Sequence, residues 1–249
     1  MAALTVWHDD LIANAPSCSL GMRNSTVRRI ASEFCRDTLL WVDDLYNNGD
    51  GTPVVDFPVV ADANNYDLTD DTDANTRGAG DRLTTLQAKI HSIKSVKYKL
   101  PTATGTESDD DQFSFLTPMT KAVWDRRDSG EWPYREGSAP TGYYMDVDRV
   151  LYLYPIPTTA SPGGLKITAY LEPSLAATAV PDFIQENHYE VVLDGALWLL
   201  LRMQDQPWSD MDMALFYKER YNAQMSEDKQ AKWRGRVNRN MRVAYRRFV

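Results

Sequence analysis

PDFIQENHYEVVLDGALWLLLRMQDQPWSDMDMALFYKERY, residues 181–221, contains the longest apolar run of the chain, Val191 to Leu201, interrupted by Asp194 and Gly195. A helix on a domain surface shows an apolar stripe, whereas this one is apolar on most sides. A membrane span takes about 20 apolar residues, so the run reads as a buried helix of a soluble protein. It lies either at the centre of a bundle or against a neighbouring subunit. In the second case Val191, Leu197, Trp198 and Leu201 are the candidate oligomer-interface residues. Asp182 with Gln185 three residues later, after Pro181, has the form of a capping box, so a helix is expected from Phe183 to about Gln204. Pro207 breaks it. Ser209 is the expected cap of the next helix, with Met211, Ala214, Leu215, Tyr221 and Met225 on one side.

Outward from this segment, the N-terminal part is helical too. Val6 to Ala13 reads as a short helix ended by Pro16. A long helix is expected after Asn24 or Ser25, either of which can cap it. Val27, Ile30, Ala31, Phe34, Trp41 and Leu45 recur at helical spacing, and Asn47-Asn48-Gly49 supplies the stop. Between these helical ends the pattern changes to short strands. Val54 to Val60 and Lys89 to Leu100 are rich in β-branched residues. Gly142 to Val147 and Arg149 to Ile156 form an aromatic-rich hairpin turning near Asp148, and Leu165 to Leu171 makes a third strand. Asp67 to Asp81 and Thr104 to Gln112 read as polar loops. Pro118 suits the first position of a short helix over Met119 to Arg127. The expected fold class is α+β: a bundle of N- and C-terminal helices, an inserted antiparallel β-domain and an extended C-terminal arm. The boundaries are residues 1–52, 53–174, 175–228 and 229–249.

Charge sets the last segment apart. The chain has 27 Lys+Arg and 35 Asp+Glu, yet KQAKWRGRVNRNMRVAYRRFV (Lys229 to Val249) holds eight basic side chains and no acid. Residues 1–228 therefore keep 19 basic and 35 acidic groups, a net of −16. Such a body repels nucleic acid from its surface, while a cationic arm is an interaction segment. Solvating tails carry few aromatics. Here Trp233, Val237, Met241, Val243, Tyr245 and Phe248 are interleaved with the cations, as in protein-docking anchors. The candidate docking residues are Lys232, Trp233, Arg234, Arg236, Arg239, Arg242, Tyr245, Arg246, Arg247 and Phe248. Nucleic-acid contact and an inert tail are the competing readings.

The chemistry of catalysis has little to rest on. His8, His91 and His188 lie far apart and match no metal-ligand spacing. Asp109 to Asp111 lack the alternating ligands of a calcium loop. Gly78-Ala79-Gly80 lies in a polar loop rather than between strand and helix, so it carries no nucleotide signal. Cys18 and Cys35 are too few for a disulfide scaffold and read as reduced thiols. Met1 to Pro16 is too polar for a signal peptide. Glu186, Glu190 and Asp194 share one helix face at i, i+4 and i+8. An acid–base pair among them has no accompanying motif, so a polar stripe is the simpler account. No enzyme activity, metal or cofactor is expected.

The stretch from Pro181 to Tyr221 resembles the C-terminal region of tailed-phage head-to-tail connector proteins. The shared features are Pro181-Asp182-Phe183, the run toward Gly195-Ala196-Leu197, then Gln206-Pro207-Trp208-Ser209 and an aromatic-rich helix. Leu153-Tyr154-Pro155-Ile156-Pro157, Leu171-Glu172-Pro173-Ser174 and the helix with Glu33, Phe34 and Cys35 fit the same family. The resemblance implies an adaptor of the virion neck, similar in role to podovirus tail tubular proteins and assembled in the host cytoplasm. Such adaptors form a ring, commonly dodecameric, beneath the portal protein. The implied partners are the portal, other copies of the chain, and tail nozzle, tube or fibre proteins. DNA would pass through without specific binding, and no membrane is involved. Two rivals remain. A tail or baseplate component would use its β-domain to bind other tail proteins or a host glycan, with Trp132, Tyr134, Tyr143 and Tyr144 as the carbohydrate platform, and a hydrolase would use Glu186 and Glu190.

Overall fold

The computed structural model describes residues 1–45, 57–68, 83–99, 113–123 and 134–236. The chain divides into two units, residues 1–40 with 175–249, and residues 41–174.

The first unit is a helical bundle. A 3-10 turn over Leu4–Trp7 leads into α1 (His8–Asn14), and α2 follows over Leu20–Thr38. Helix α2 starts earlier than expected because the Ser19 hydroxyl accepts the Met22 N–H, ahead of Asn24 and Ser25. Its stripe of Val27, Ile30, Ala31 and Phe34 is fully buried. Each large side chain in such a stripe contributes about 1.5–3 kcal/mol relative to exposure. The helix also stops earlier than expected. Leu39 takes the left-handed conformation (φ 52°) and returns its N–H to Cys35 O. Trp41 and Leu45, read as the end of the same stripe, therefore belong to the second unit.

The C-terminal part of the bundle comprises α3 (Asp182–Asn187), α4 (Tyr189–Leu201) and α5 (Met211–Arg236). The expected capping box is absent. Asp182 is the first helical residue, and its carboxylate pairs with the Met1 amine at 2.7 Å. The expected continuous helix breaks at His188 (φ −131°), whose ring packs against Phe34 at 4.8 Å between centroids. The exposed Asp210, not Ser209, caps α5 by accepting the Met213 N–H at 3.0 Å. Ser209 instead donates its hydroxyl to Leu201 O, closing α4.

Helix α4 is the centre of this unit, packed against α2 on one side and α5 on another. Gly195 makes the three-way crossing possible. A Cβ there would lie 2.7 Å from Ile30 Cγ2 of α2 and 3.0 Å from the Tyr221 ring of α5. The N-terminal turn is fastened to the start of α4 as well. Trp7 stacks on Tyr189 and donates its indole N–H to Tyr189 O.

The second unit is built on a long antiparallel ladder. Strand β5 (Ala88–Lys99) pairs with β12 (Ser161–Pro173) from Leu165↔Tyr98 to Pro173↔Ala88. β2 (Val42–Asp44) and β3 (Phe57–Val59) also pair with β12, and β6 (Phe113–Phe115) pairs with the other edge of β5. The expected hairpin forms between β9 (Gly142–Met145) and β10 (Val150–Tyr154), and β4 (Asn65–Asp67) pairs with the other edge of β10. The hairpin turns through Asp146–Arg149, with Arg149 left-handed at φ 64°. The third strand of the sequence reading lies in the five-stranded sheet, not beside this hairpin. Two short pairs are parallel: β7 (Thr117–Pro118) with β9, and β8 (Glu136–Gly137) with β11 (Ile156–Pro157). Pro118 ends a strand, since the Met119 N–H donates to Tyr143 O; the expected helix starts later, with residues 121–123 helical and 124–127 outside the described residues. The expected loops over Thr104–Gln112 and most of Asp67–Asp81 lie outside the described residues.

Candidate functional site

The acid-free C-terminal segment begins inside α5, which continues through Lys229 to Arg236. Its first two cations are engaged within the bundle. Lys229 Nζ lies 2.9 Å from Asp37 Oδ2, and Lys232 Nζ donates to Thr38 O at 2.7 Å and to Leu39 O. These carbonyls are the last of α2, where no intrahelical donor remains and the macrodipole is negative. A lysine there both satisfies the carbonyls and neutralises the helix end. Lys232, expected to face a partner, is therefore a clamp between α5 and α2. Trp233, Arg234 and Arg236 lie on the final turns of α5. Arg239, Arg242, Tyr245, Arg246, Arg247 and Phe248 lie outside the described residues. The clamp has no signature in sequence, because its carbonyl acceptors are more than 190 residues away.

The expected interface residues are placed differently. Val191, Leu197 and Leu201 are buried by the chain's own helices. Trp198 is half-buried, stacked on Tyr221 with Arg202 and Lys218 over its ring. Four exposed apolar side chains of this unit cluster at the start of α5: Met211, Met213, Leu215 and Phe216. Met211 and Leu215 were expected on the buried side. That side is Ala214, Tyr221 and Met225, whose spacing of seven and four residues was the sequence signal for it.

The three carboxylates do not lie on one helix. Asp194 and Glu190 both face Arg220, at 3.2 and 3.4 Å, while Glu186 sits on α3 beyond the break at His188. Burial pushes the Asp194 carboxyl up, Arg220 lowers it and Glu190 adds to the rise. Beside them a cleft of about 430 Å³ is lined by Glu186, His188, Glu190, Gln224, Glu227 and Asp228. Within it His188 Nδ1 meets Asp228 Oδ2 at 3.0 Å, tying the α3–α4 junction to α5.

His8 is buried and bonds Asn24 at 2.8 Å. Among the described residues no group of three His, Cys, Asp or Glu side chains is placed to hold a metal ion. Cys18 and Cys35 are free and buried. No helix among the described residues is long and apolar enough to cross a membrane. Of the aromatic platform in the glycan reading, three residues are described. Tyr143 is buried in its sheet, Tyr144 stacks on Tyr152, Tyr134 is exposed, and Trp132 lies outside the described residues.

A helical unit built from both ends of the chain, with a β-rich unit between them, defines a protein of α+β class. Residues 24–244 match the SU10 adaptor protein family, and the chain belongs to it. No curated protein matches the chain. Membership makes it a bacteriophage adaptor, a structural component of the virion that works against other head and tail proteins.

Proposed function

We propose that the chain is a head-to-tail adaptor that forms a ring beneath the portal, joins it to the tail and extends the DNA channel. The observation that carries this reading is the attachment of the base of the basic segment to the bundle. Lys229 and Lys232 fasten α5 to the end of α2, and Trp233, Arg234 and Arg236 follow on its last turns. They are followed by Arg239, Arg242, Tyr245, Arg246, Arg247 and Phe248, cations and aromatics that suit an acidic groove on a portal. Docking then orders the segment on its partner, with early contact weakened by salt.

Ring formation takes shared apolar surface, and the exposed Met211, Met213, Leu215 and Phe216 supply it, with Trp198 nearer the core. The net charge of −8 disfavours tight, sequence-specific retention of DNA. The reading assigns the chain no reaction and no cofactor, in keeping with Glu190 and Asp194 being joined to Arg220. Assembly takes place in the host cytoplasm and the product sits in the virion neck. Electron microscopy of the chain mixed with its portal tests the reading. A closed ring of one subunit number, expected to be dodecameric, seated coaxially on the portal supports it, and rings found only at the distal tail tip overturn it.

A further inference from the structure

Helix α5 presents two unlike flanks on either side of its buried line of Ala214, Tyr221 and Met225. At about 3.6 residues per turn, Lys218 and Glu227 are two and a half turns apart and lie on opposite sides of the helix. Met211 and Leu215 stand two turns and one turn before Lys218 and share its flank. Met213 and Phe216 stand three turns before Gln224 and Glu227 and share theirs. All four of these apolar side chains are exposed.

The charges divide in the same way. On the first flank Arg202 Cζ and Lys218 Nζ lie 5.0 and 5.6 Å from the centre of the Trp198 ring. Both cations are exposed, and neither has a carboxylate partner among the described residues. On the second flank lies the cleft bordered by Glu186, Glu190, Gln224 and Glu227. Glu190 is joined to Arg220, whereas the exposed Glu186 and Glu227 pair with no cation among the described residues. Each flank by itself is a solvated surface. Together they are complementary, with apolar side chains beside opposite charges on opposite sides of one helix. A two-fold contact sets a flank against its own copy, and like charge against like. A head-to-tail contact sets one flank against the other, and closes into a ring when its rotation closes.

We propose that the flank carrying Trp198, Arg202 and Lys218 docks on the acidic cleft flank of a second copy of the chain, head to tail. The proposal rests on the ring reading and names the contact between neighbours in that ring. Setting Met211 of one copy against Phe216 of the next staggers the two α5 helices by five residues, about 7.5 Å. Lys218 then stands within one residue of the level of Gln224, beside the carboxylates of Glu190 and Glu227. Leu215 falls level with Arg220, which lies over the Phe216 ring. Trp198 and Arg202 are the residue types that anchor protein interfaces. The apolar side chains supply affinity, and the opposed charges fix which flank meets which.

The test uses the full chain mixed with its cognate portal, read by native mass spectrometry at low ionic strength, where charge contacts are least screened. One variant makes the first flank acidic, Arg202→Glu/Lys218→Glu. A second makes the cleft flank basic, Glu186→Lys/Glu227→Lys. Each is expected to lower the ring population about tenfold or more, because every contact then sets like charge against like. An equimolar mixture of the two is expected to restore rings in which the variants alternate. A single chain carrying all four substitutions is expected to restore them as well. Either rescue separates loss of contact from loss of fold. Rings formed by each two-site variant alone overturn the proposal, as does the absence of rescue in both combinations while wild-type rings form. In those cases the adaptor reading stands and the subunit contact lies elsewhere. A wild type that forms no ring overturns the adaptor reading and this contact with it.

Discussion

Lys232 Nζ donates to the main-chain carbonyl of Thr38 at 2.7 Å, so a cation of the basic segment closes the end of α2. The bond joins the C-terminal helix to the N-terminal one at the base of the proposed docking segment. Lys232→Met keeps most of the stem and removes the donor. The expected cost is about 1 kcal/mol, with faster amide exchange at Cys35 to Leu39 and in the last turns of α5. Unchanged exchange at both helix ends would show that the clamp is not formed in solution.

Gly195 sits where α2 and α5 approach α4 most closely, with room for a hydrogen and not for a methyl group. Gly195→Ala gains helix propensity of about 1 kcal/mol but forces Ile30 and Tyr221 apart. The net expectation is destabilisation by about 1–3 kcal/mol, read from the denaturant midpoint. A stabilised variant would mean that the three helices are packed less tightly than described.

Asp194 and Arg220 give the bundle a pH dependence of defined sign. Burial raises the Asp194 carboxyl above its ordinary 3.8, so the folded chain retains a proton that the unfolded chain has released. The contribution therefore favours folding most below pH 3.8 and fades as pH rises through the elevated value. Asp194→Asn should flatten this part of the stability profile and leave the chain at pH 7 as stable as wild type or more so. Arg220→Met leaves the carboxylate buried without its cation. It should cost about 1–3 kcal/mol at pH 7, the lower end reflecting the partial exposure of Arg220. Urea midpoints between pH 3 and pH 7 distinguish the two. An Asn variant with the wild-type slope would contradict this assignment.

The two sets of apolar residues on the C-terminal helices should separate folding from assembly. Leu197→Ala removes a fully packed side chain and should destabilise the chain by about 2–5 kcal/mol. Leu215→Ser/Phe216→Ser changes exposed positions, so the stability of the isolated chain should shift by no more than about 0.5 kcal/mol per site. Its ring assembly should be lost. Native mass spectra showing the same oligomer for this double variant and the wild type would place the subunit contact elsewhere.

Much of the architecture was legible because burial leaves a periodic trace. The all-round apolar character of Val191–Leu201 marked the central helix, and alternating aromatics marked the β9–β10 hairpin. The misreadings have local physical causes. Trp41 and Leu45 fall on the 3.6-residue period of α2 by coincidence, and the left-handed Leu39 that separates them from it is not a glycine. Asp182 and Gln185 have the capping-box spacing, but an amine from the far end of the sequence takes the carboxylate. The basic segment was visible as charge. The clamp at its base was not, because α5 and α2 meet only after folding.

The central claim is that the basic segment beyond the clamp docks the adaptor on its portal. Native mass of the chain mixed with its cognate portal, full-length beside a chain ending at Arg236, tests it most directly. Ending there keeps Lys229 and Lys232, and with them the bundle. The account predicts that the full-length chain loads at a fixed ratio to portal and that the shortened chain stays folded but does not load. Equal loading of both chains would contradict it.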